Sequence, residues 1–272
     1  TNMIISTYKG KEYQNIKIDL SNKTITLPKL KEVKIRGYRN LKEIKGRIIN
    51  ATITKELDNT YYVSVVVEEE IPATDFIPTR IVGLDLGIKD LVITSDYQKY
   101  ENEKIVKKYE KRLKQKQRRL SKKERGSKNY YKLKQKIARI YKKIRNARKY
   151  AIHKITKEIT DNNDIIVTET LKIKNMIKNH RLAKTLTDAS LSEIIRQLEY
   201  KTKWKNKKMY KIDTYYPSSQ ICNKCGYKNE RIKDLSVREY DCPKCKNHLD
   251  RDYNAAINIM FEGIKKYMEG LV

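Results

Sequence analysis

The stretch Thr79-Arg-Ile-Val-Gly-Leu-Asp-Leu-Gly87 decides how the rest of the chain is read. Its apolar run is too continuous for a strand with one wet face and reads as a central strand covered on both sides. Asp85 interrupts that run, and a carboxylate facing a packed layer is costly unless a cation or a partner compensates it. One segment therefore points both to an α/β fold and to a functional acid.

Two more acids stand in comparable places. Glu169 ends a second apolar strand, Asp164-Ile-Ile-Val-Thr-Glu169, and Asp252 opens a final helix in His248-Leu-Asp-Arg-Asp-Tyr-Asn-Ala-Ala-Ile-Asn258. Acids at strand ends and at a helix start converge above the edge of an open sheet, the usual ligand crevice of such folds. Three carboxylates suit a pair of Mg²⁺ ions, which take hard oxygen ligands and clamp the attacking and leaving oxygens of a phosphodiester displacement without a His or Ser nucleophile. Taken singly, Asp250 or Asp252 reads as a helix cap, Glu169 as a solvated strand end and Asp85 as a partner for a lysine. Asp250 also competes with Asp252 for the third place.

Upstream, short alternating segments with β-branched residues and Tyr run from Ile4 to Val67, separated by turn residues at Asn22-Lys23, Gly37 and Asp58-Asn59. That period predicts an antiparallel sheet or small barrel. Pro72 and Pro78 bracket a linker. Downstream of the first acid, a strongly basic helical pattern breaks only at Gly126-Ser127, which predicts two antiparallel helices. Leu113, Leu120, Leu133, Ile137, Ile140, Ile144 and Ile152 form their apolar stripe. A helix from Asp188 to Lys205, with Asp188 as its cap, and a strand near Lys208 to Asp213 follow a polar loop at 172–186.

The four cysteines form two pairs, Cys222-Asn-Lys-Cys225 and Cys242-Pro-Lys-Cys245, sixteen residues apart. Two such knuckles converge on a tetrahedral thiolate site for one structural Zn²⁺, with Gly226 supplying the tight turn after the first. His248 is a bystander because four sulfurs complete the shell. The lysines and arginines around the knuckles read either as phosphate contacts or as general surface charge.

Composition sets the partner. The 272 residues carry 62 Lys and Arg against 33 Asp and Glu, a formal charge of +29, and 39% are hydrophobic, enough for a real core. Codon bias in an AT-rich gene explains abundant charge but not its sign, so the balance points to a polyanion, nucleic acid first. With no apolar run of about 18 residues and no signal-peptide core, a soluble intracellular protein with no membrane partner is expected.

The segments GLDLGIKDLVITS (83–95), VTETLKIKNM (167–176), LEYKTKWKNKKMYKIDTYYPSSQICNKCG (198–226) and DCPKCKNHLDRDYNAAINI (241–259) resemble, in order, the successive motifs of TnpB proteins, which bacterial and archaeal insertion sequences encode. The likeness spans roughly residues 28–262. It implies an α/β, RNase H-like nuclease domain of the RuvC type with an inserted zinc ribbon and a basic helical hairpin, preceded by a small antiparallel β-barrel-like wedge, and kinship with miniature type V CRISPR effectors. The implied layout is a wedge over 1–78, a first nuclease part over 79–217 with the hairpin at 104–160, the ribbon over 218–248 and a final nuclease part over 249–272. Residue by residue, the family's catalytic acids fall on Asp85, Glu169 and Asp252, which would hold two Mg²⁺, and its zinc ligands on Cys222, Cys225, Cys242 and Cys245.

The implied function is RNA-guided, metal-dependent cleavage of DNA for a transposable element in the prokaryotic cytoplasm, at the nucleoid. Its partners would be a guide RNA from the transposon end and a target DNA, double- or single-stranded. Arg145 and Arg196 are candidates to steady that strand. Family members usually carry a recognition region before the β-rich segment in which this sequence opens at Thr1, and against that pattern the chain is expected to lack it. Two other readings stay open: a guided repressor without nuclease activity, and an unguided RNase H-like resolvase or transposase.

Overall fold

The computed structural model describes residues 2–6, 16–37, 46–70, 76–172, 178, 185–186, 188–234 and 236–270, with the backbone alone for 2–6. The chain divides into two compact units, Thr1–Pro72 with Gln115–Tyr141 and Ala73–Lys114 with Lys142–Val272. Most of the linker between Pro72 and Pro78, and most of the polar loop at 172–186, lies outside the described residues.

In the first unit, β1 (Asn2–Ser6), β5 (Arg47–Lys55) and β6 (Tyr61–Glu68) make one antiparallel sheet, while β2 (Lys17–Asp19), β3 (Thr24–Leu27) and β4 (Lys31–Lys34) make another. The alternation that predicted strands also sorts their faces. Val63, Val65 and Val67 turn inward to a core of Ile16, Ile25, Leu27, Ile48 and Ala51, while Tyr62, Ser64 and Val66 face water. Lys23 (φ 54°) and Asn59 (φ 66°) take the left-handed turn positions between strands.

The second unit is built on a five-stranded mixed sheet. Its strands are β7 (Ile81–Asp85), β8 (Asp90–Thr94), β9 (Lys99–Glu101), β10 (Ile165–Glu169) and β11 (Lys208–Ile212), in the order β11-β10-β7-β8-β9. β7, β8 and β9 form an antiparallel meander, and β10 lies parallel to both β7 and β11. Parallel neighbours need long crossovers. The helices α1 (Ile105–Ser121) and α2 (Lys128–Asn162) precede β10, and α3 (Leu191–Trp204) joins β10 to β11.

Strand alternation gives the sheet two covered faces. Val82, Leu84 and Ile166 pack under Ile152, Ile155 and Ile159 of α2 and under Leu191, Ile194 and Leu198 of α3. Ile165, Val167 and Ile212 pack on the other side with Ile259 of the last helix, α4 (Arg251–Glu269). Gly83, Asp85 and Glu169 share the parity of Val167 and so face the α4 side.

Asp164 fastens the two central strands at their starts. Its Oδ2 accepts from the Thr79 amide (3.0 Å), the Thr79 hydroxyl (2.8 Å) and the Arg80 amide (3.1 Å). Burial opposes its ionisation, but these bonds and Lys207 outweigh it and hold the carboxyl near 2 instead of 3.8. A depressed carboxylate stabilises the fold above its unfolded pKa and loses that contribution as pH falls through its folded one, here about 2 kcal/mol. Asp164→Asn is therefore expected to lower the melting temperature at neutral pH, with the difference closing as pH drops from about 4 to about 2. A difference that persists at the acid end would show that the ionised form is not what matters.

The break at Gly126 (φ 91°) separates α1 from α2, and the Tyr141 hydroxyl accepts from Gln117 Nε2 across them at 3.0 Å. α2 has no basic residue in its last turn. Lys207 supplies the charge instead, its Nζ donating to the carbonyls of Thr160 (2.9 Å), Asp161 (3.2 Å) and Asn163 (2.9 Å). The expected cap at Asp188 is not formed. α3 begins at Leu191 after Ser190 (φ 52°), and Asp188 accepts from Arg148 Nη2 at 2.8 Å, because a half-buried guanidinium needs a carboxylate more than a helix start needs a cap. Among the described residues no helix is long and apolar enough to cross a membrane.

Candidate active site

Asp85 and Glu169 end neighbouring parallel strands whose last register pair is Leu84 with Thr168. The two carboxylates therefore stand side by side at one sheet edge, on the α4 face. What brings the third acid to them is the closeness of α4 to β7. A Cβ built on Gly83 would lie 2.1 Å from the Ala256 carbonyl oxygen and 2.5 Å from the Met260 nitrogen, so the helix backbone rests directly on the strand at that glycine. From this contact Asp85 is two strand residues onward, roughly 7 Å. Asp252 is one helical turn back from Ala256, roughly 6 Å. The two steps nearly match, and both acids reach the same level.

A methyl group at position 83 is incompatible with that contact. Gly83→Ala is expected to cost about 2 kcal/mol or more as an overpacked backbone contact, a fall in melting temperature of about 4–8 °C, and to reduce any activity that depends on Asp252. Calorimetry on the variant checks the first part; an unchanged melting temperature would mean that α4 is less tightly docked than described.

The electrostatics reflect the crowding. Burial, then Glu169, then Asp252 push the Asp85 carboxyl from 3.8 up to about 8, with Arg251 opposing. Burial also raises Glu169, against a 2.5 Å hydrogen bond donated by Ser218 Oγ to its Oε1. Carboxylates so placed are not all ionised at neutral pH unless a cation joins them. Carboxylate oxygens are the donors that a hard divalent ion takes, so the residue types suit Mg²⁺, while in this structure the three acids do not converge to within 4.8 Å as the cysteine sulfurs do.

Asp250 and Asp252 are separated by their duties. Asp250 is the cap of α4, accepting from the amides of Asp252 (2.9 Å) and Tyr253 (3.3 Å), and it pairs with Lys99 at 2.9 Å. Burial would raise its pKa, but these partners hold it below the ordinary value. Asp252 has no such engagement; its nearest cations are Arg238 (3.8 Å) and Arg251 (3.9 Å).

Asp85 and Asp252 line a cleft of about 1200 Å³ that Arg148, Arg238, Arg251, Lys104 and Lys107 also border. Arg148 and Arg251 each keep a buried Nε without a hydrogen-bond partner. Neither Arg145 nor Arg196 lines the cleft; Arg196 pairs with Glu193 at 2.7 and 2.8 Å. Nothing in the sequence separates the lining arginines from the many other basic residues, although Arg251 lies between the two competing acids.

The cysteines come together as two like knuckles. Gly226 N donates to Cys222 O and Lys246 N to Cys242 O, both at 2.9 Å, with Gly226 (φ 73°) and Lys246 (φ 58°) left-handed at matching places. All four sulfurs lie within 4.8 Å of one another, and the pairs Cys222–Cys245 and Cys225–Cys242 stand 3.6 and 3.5 Å apart. A tetrahedron with metal–sulfur bonds of about 2.3 Å has edges of about 3.8 Å, so the group can hold a metal such as zinc. His248 instead bonds Asp241 at 2.6 Å, on the strand pair β12 (Glu239–Asp241) and β13 (His248–Asp250).

The knuckles are tied to the acids through α4. Asn254 Nδ2 donates to Ile221 O (2.7 Å), and Asn258 Nδ2 donates to Ser218 O (2.7 Å) and Ile221 O (2.6 Å). Both asparagines are buried, one turn apart. Two asparagines four apart, Asn254 just before the apolar run Ala255 to Ile259 and Asn258 within it, were the available signal for this clamp, and Ser218, which it fixes, is the residue that bonds Glu169.

Comparison with known proteins adds the following. Residues 64–180 match the family OrfB_IS605, described as "Probable transposase", and residues 192–259 match the Cas12f1-like TNB domain. The chain is 31% identical over 166 residues to "Putative RNA-guided DNA endonuclease InsQ" of Escherichia coli (strain K12), covering 61% of this chain and 40% of that protein. It is 35% identical over 257 residues to "Putative RNA-guided DNA endonuclease" of Streptomyces pristinaespiralis, covering 93% of this chain and 62% of that one. The chain thus spans about two-fifths to three-fifths of the length of these relatives. The structure of a CRISPR-Cas12f ternary complex matches with a TM-score of 0.50 at 21% identity, over 79% of this chain and 46% of the other, a likeness of fold.

Proposed function

We propose that the chain is a TnpB-type protein of an insertion sequence and that it carries the nuclease of an RNA-guided, Mg²⁺-dependent DNA endonuclease of a transposable element, a reading supported by the matched families and by the names of its relatives. The observation that carries the reading is the gathering of Asp85, Glu169 and Asp252 at one sheet edge, where burial first and then the two neighbouring acids raise Asp85 to about 8. A sheet of order β11-β10-β7-β8-β9, with acids at the ends of its two central strands, supports an RNase H-like fold of the RuvC type. On this reading residues 1–78 are the wedge, 79–217 and 249–272 the nuclease, and 218–248 a zinc ribbon holding one structural Zn²⁺.

Bound to the three acids, two Mg²⁺ would supply the Lewis acidity for in-line phosphodiester hydrolysis. The protein's part is positioning. Asp85, with Glu169 and Asp252 as its acid neighbours, would hold the metal together with them; Ser218 fixes the rotamer of Glu169; the docking of α4 on Gly83 sets Asp252, while Asp250 holds the helix start. Arg148, Arg238 and Arg251, which border the cleft, suit oxygens of the scissile phosphate. A guide RNA from the transposon end and a matching DNA are the partners, met in the prokaryotic cytoplasm at the nucleoid.

The test is to express the chain beside the DNA that flanks its gene, sequence the RNA that copurifies, and offer a DNA duplex matched to that RNA with Mg²⁺. Matched cutting that stops on chelation is expected. Tight matched binding with no cutting in Mg²⁺ or Mn²⁺ would favour a guided repressor, and cutting of branched DNA by RNA-free protein an unguided enzyme.

A further inference from the structure

The side of α3 turned away from the sheet carries a surface that the cleft does not use. α3 buries Leu191, Ile194, Leu198 and Thr202. On the opposite side a 3.6-residue period brings Arg196, Tyr200, Lys203 and Trp204 into one stripe. None of these lines the cleft. Trp204, the only tryptophan in the chain, is 65% exposed.

The stripe is ordered as a row of flat groups. The Trp204 and Tyr200 rings lie 4.5 Å apart, tilted by 56°, and the Arg196 guanidinium sits over Tyr200 at 5.4 Å. Glu193 grips that guanidinium through both its Nε and Nη2 and so fixes its plane. An exposed indole propagates a helix no better than Lys or Glu would, and it leaves a large apolar face in water.

We propose that this row is a stacking platform for single-stranded nucleic acid. An unpaired base would lie on the open face of Trp204, extending the series that Arg196 and Tyr200 begin, with Lys203 and the chain's net charge of +29 drawing the phosphates. The π faces and cations together favour nucleic acid over a protein partner, for which an aliphatic pocket without cations would serve. Single strands are favoured over duplex because only unstacked bases offer a free face. The inference rests on the reading that the chain handles nucleic acid, but on a different surface from the cleavage chemistry.

Trp204 reports on itself. The zinc-loaded chain, without added Mg²⁺, is titrated with labelled single-stranded DNA or RNA of about 12 nucleotides; the label's anisotropy follows binding and tryptophan emission follows stacking. Emission should be quenched in step with binding by either or both strands, and much less by a duplex of the same length or by inorganic polyphosphate. Trp204→Leu, on an exposed position that does not threaten folding, should weaken single-strand binding roughly ten-fold and leave duplex binding in place. Binding by anisotropy with unquenched tryptophan, or an unchanged affinity in Trp204→Leu, overturns the platform and leaves the nuclease reading standing. No binding of any nucleic acid at low salt overturns both.

Discussion

Replacing Asp85 by Asn is expected to abolish cleavage and, at the same time, to make the metal-free protein more stable. The losses and gains have one origin. On the proposed reading Asp85 is a ligand of the catalytic metal, and removing it withdraws several kcal/mol of transition-state stabilisation, a fall in rate on the order of 10³-fold or more. In the absence of metal, however, the same carboxylate is a burden. Its folded-state pKa is raised from 3.8 to about 8 by burial, Glu169 and Asp252. A group raised in this way contributes stability in full below its unfolded pKa and loses it as pH rises through the folded one. The metal-free chain should therefore lose up to on the order of 5 kcal/mol between about pH 4 and pH 8. Added Mg²⁺ should restore part of it, and Asp85→Asn should respond to both much less, the remainder coming from Glu169, which burial also raises. Melting curves against pH, with and without Mg²⁺, read this without any nucleic acid. A variant that still cuts at the original rate, or a melting temperature of the parent chain that is flat from pH 4 to 8, would sink the assignment.

Zinc removal should be nearly as damaging. A four-thiolate zinc site contributes about 10–16 kcal/mol of apparent binding free energy, comparable to the whole stability of an ordinary domain. Cys242→Ser is expected to release the metal and melt residues 218–248. Because Asn254 and Asn258 hold Ser218 and Ile221, and Ser218 holds Glu169, the disorder reaches the acid cluster, and cleavage should fall by about 10²-fold or more. Zinc content by mass spectrometry, amide exchange over 218–248 and cleavage rate should move together. Zinc loss without loss of activity would mean that the knuckles and the acids are energetically separate.

The acids were legible because a charge in an apolar strand contradicts the strand's own pattern, and contradictions are rare enough to locate. The helical hairpin was legible from one glycine and a narrow apolar stripe. Asp250 and Asp252 were not separable in sequence: both stand at a helix start, and only the Asp252 and Tyr253 amides bonded to Asp250 assign the capping to it. The arginines of the cleft were hidden for the opposite reason, since one basic residue among many contradicts nothing. Arg196, expected at the cleft, belongs instead to the row on α3, because Glu193 three residues earlier captures it. Asp188 was misread for lack of its partner, Arg148, which comes 40 residues earlier.

The seating of α4 on Gly83 also has a meaning in time. Asp85 and Glu169 leave the ribosome early, but the acid that completes their charge cluster is carried by a helix made 167 residues after Asp85, a delay of roughly 10–30 s at usual rates of synthesis. Until that helix docks, the nascent chain holds two carboxylates at an open sheet edge and no complete site. On the proposed nuclease reading, the chain is inactive while half made and gains its site in a single late step.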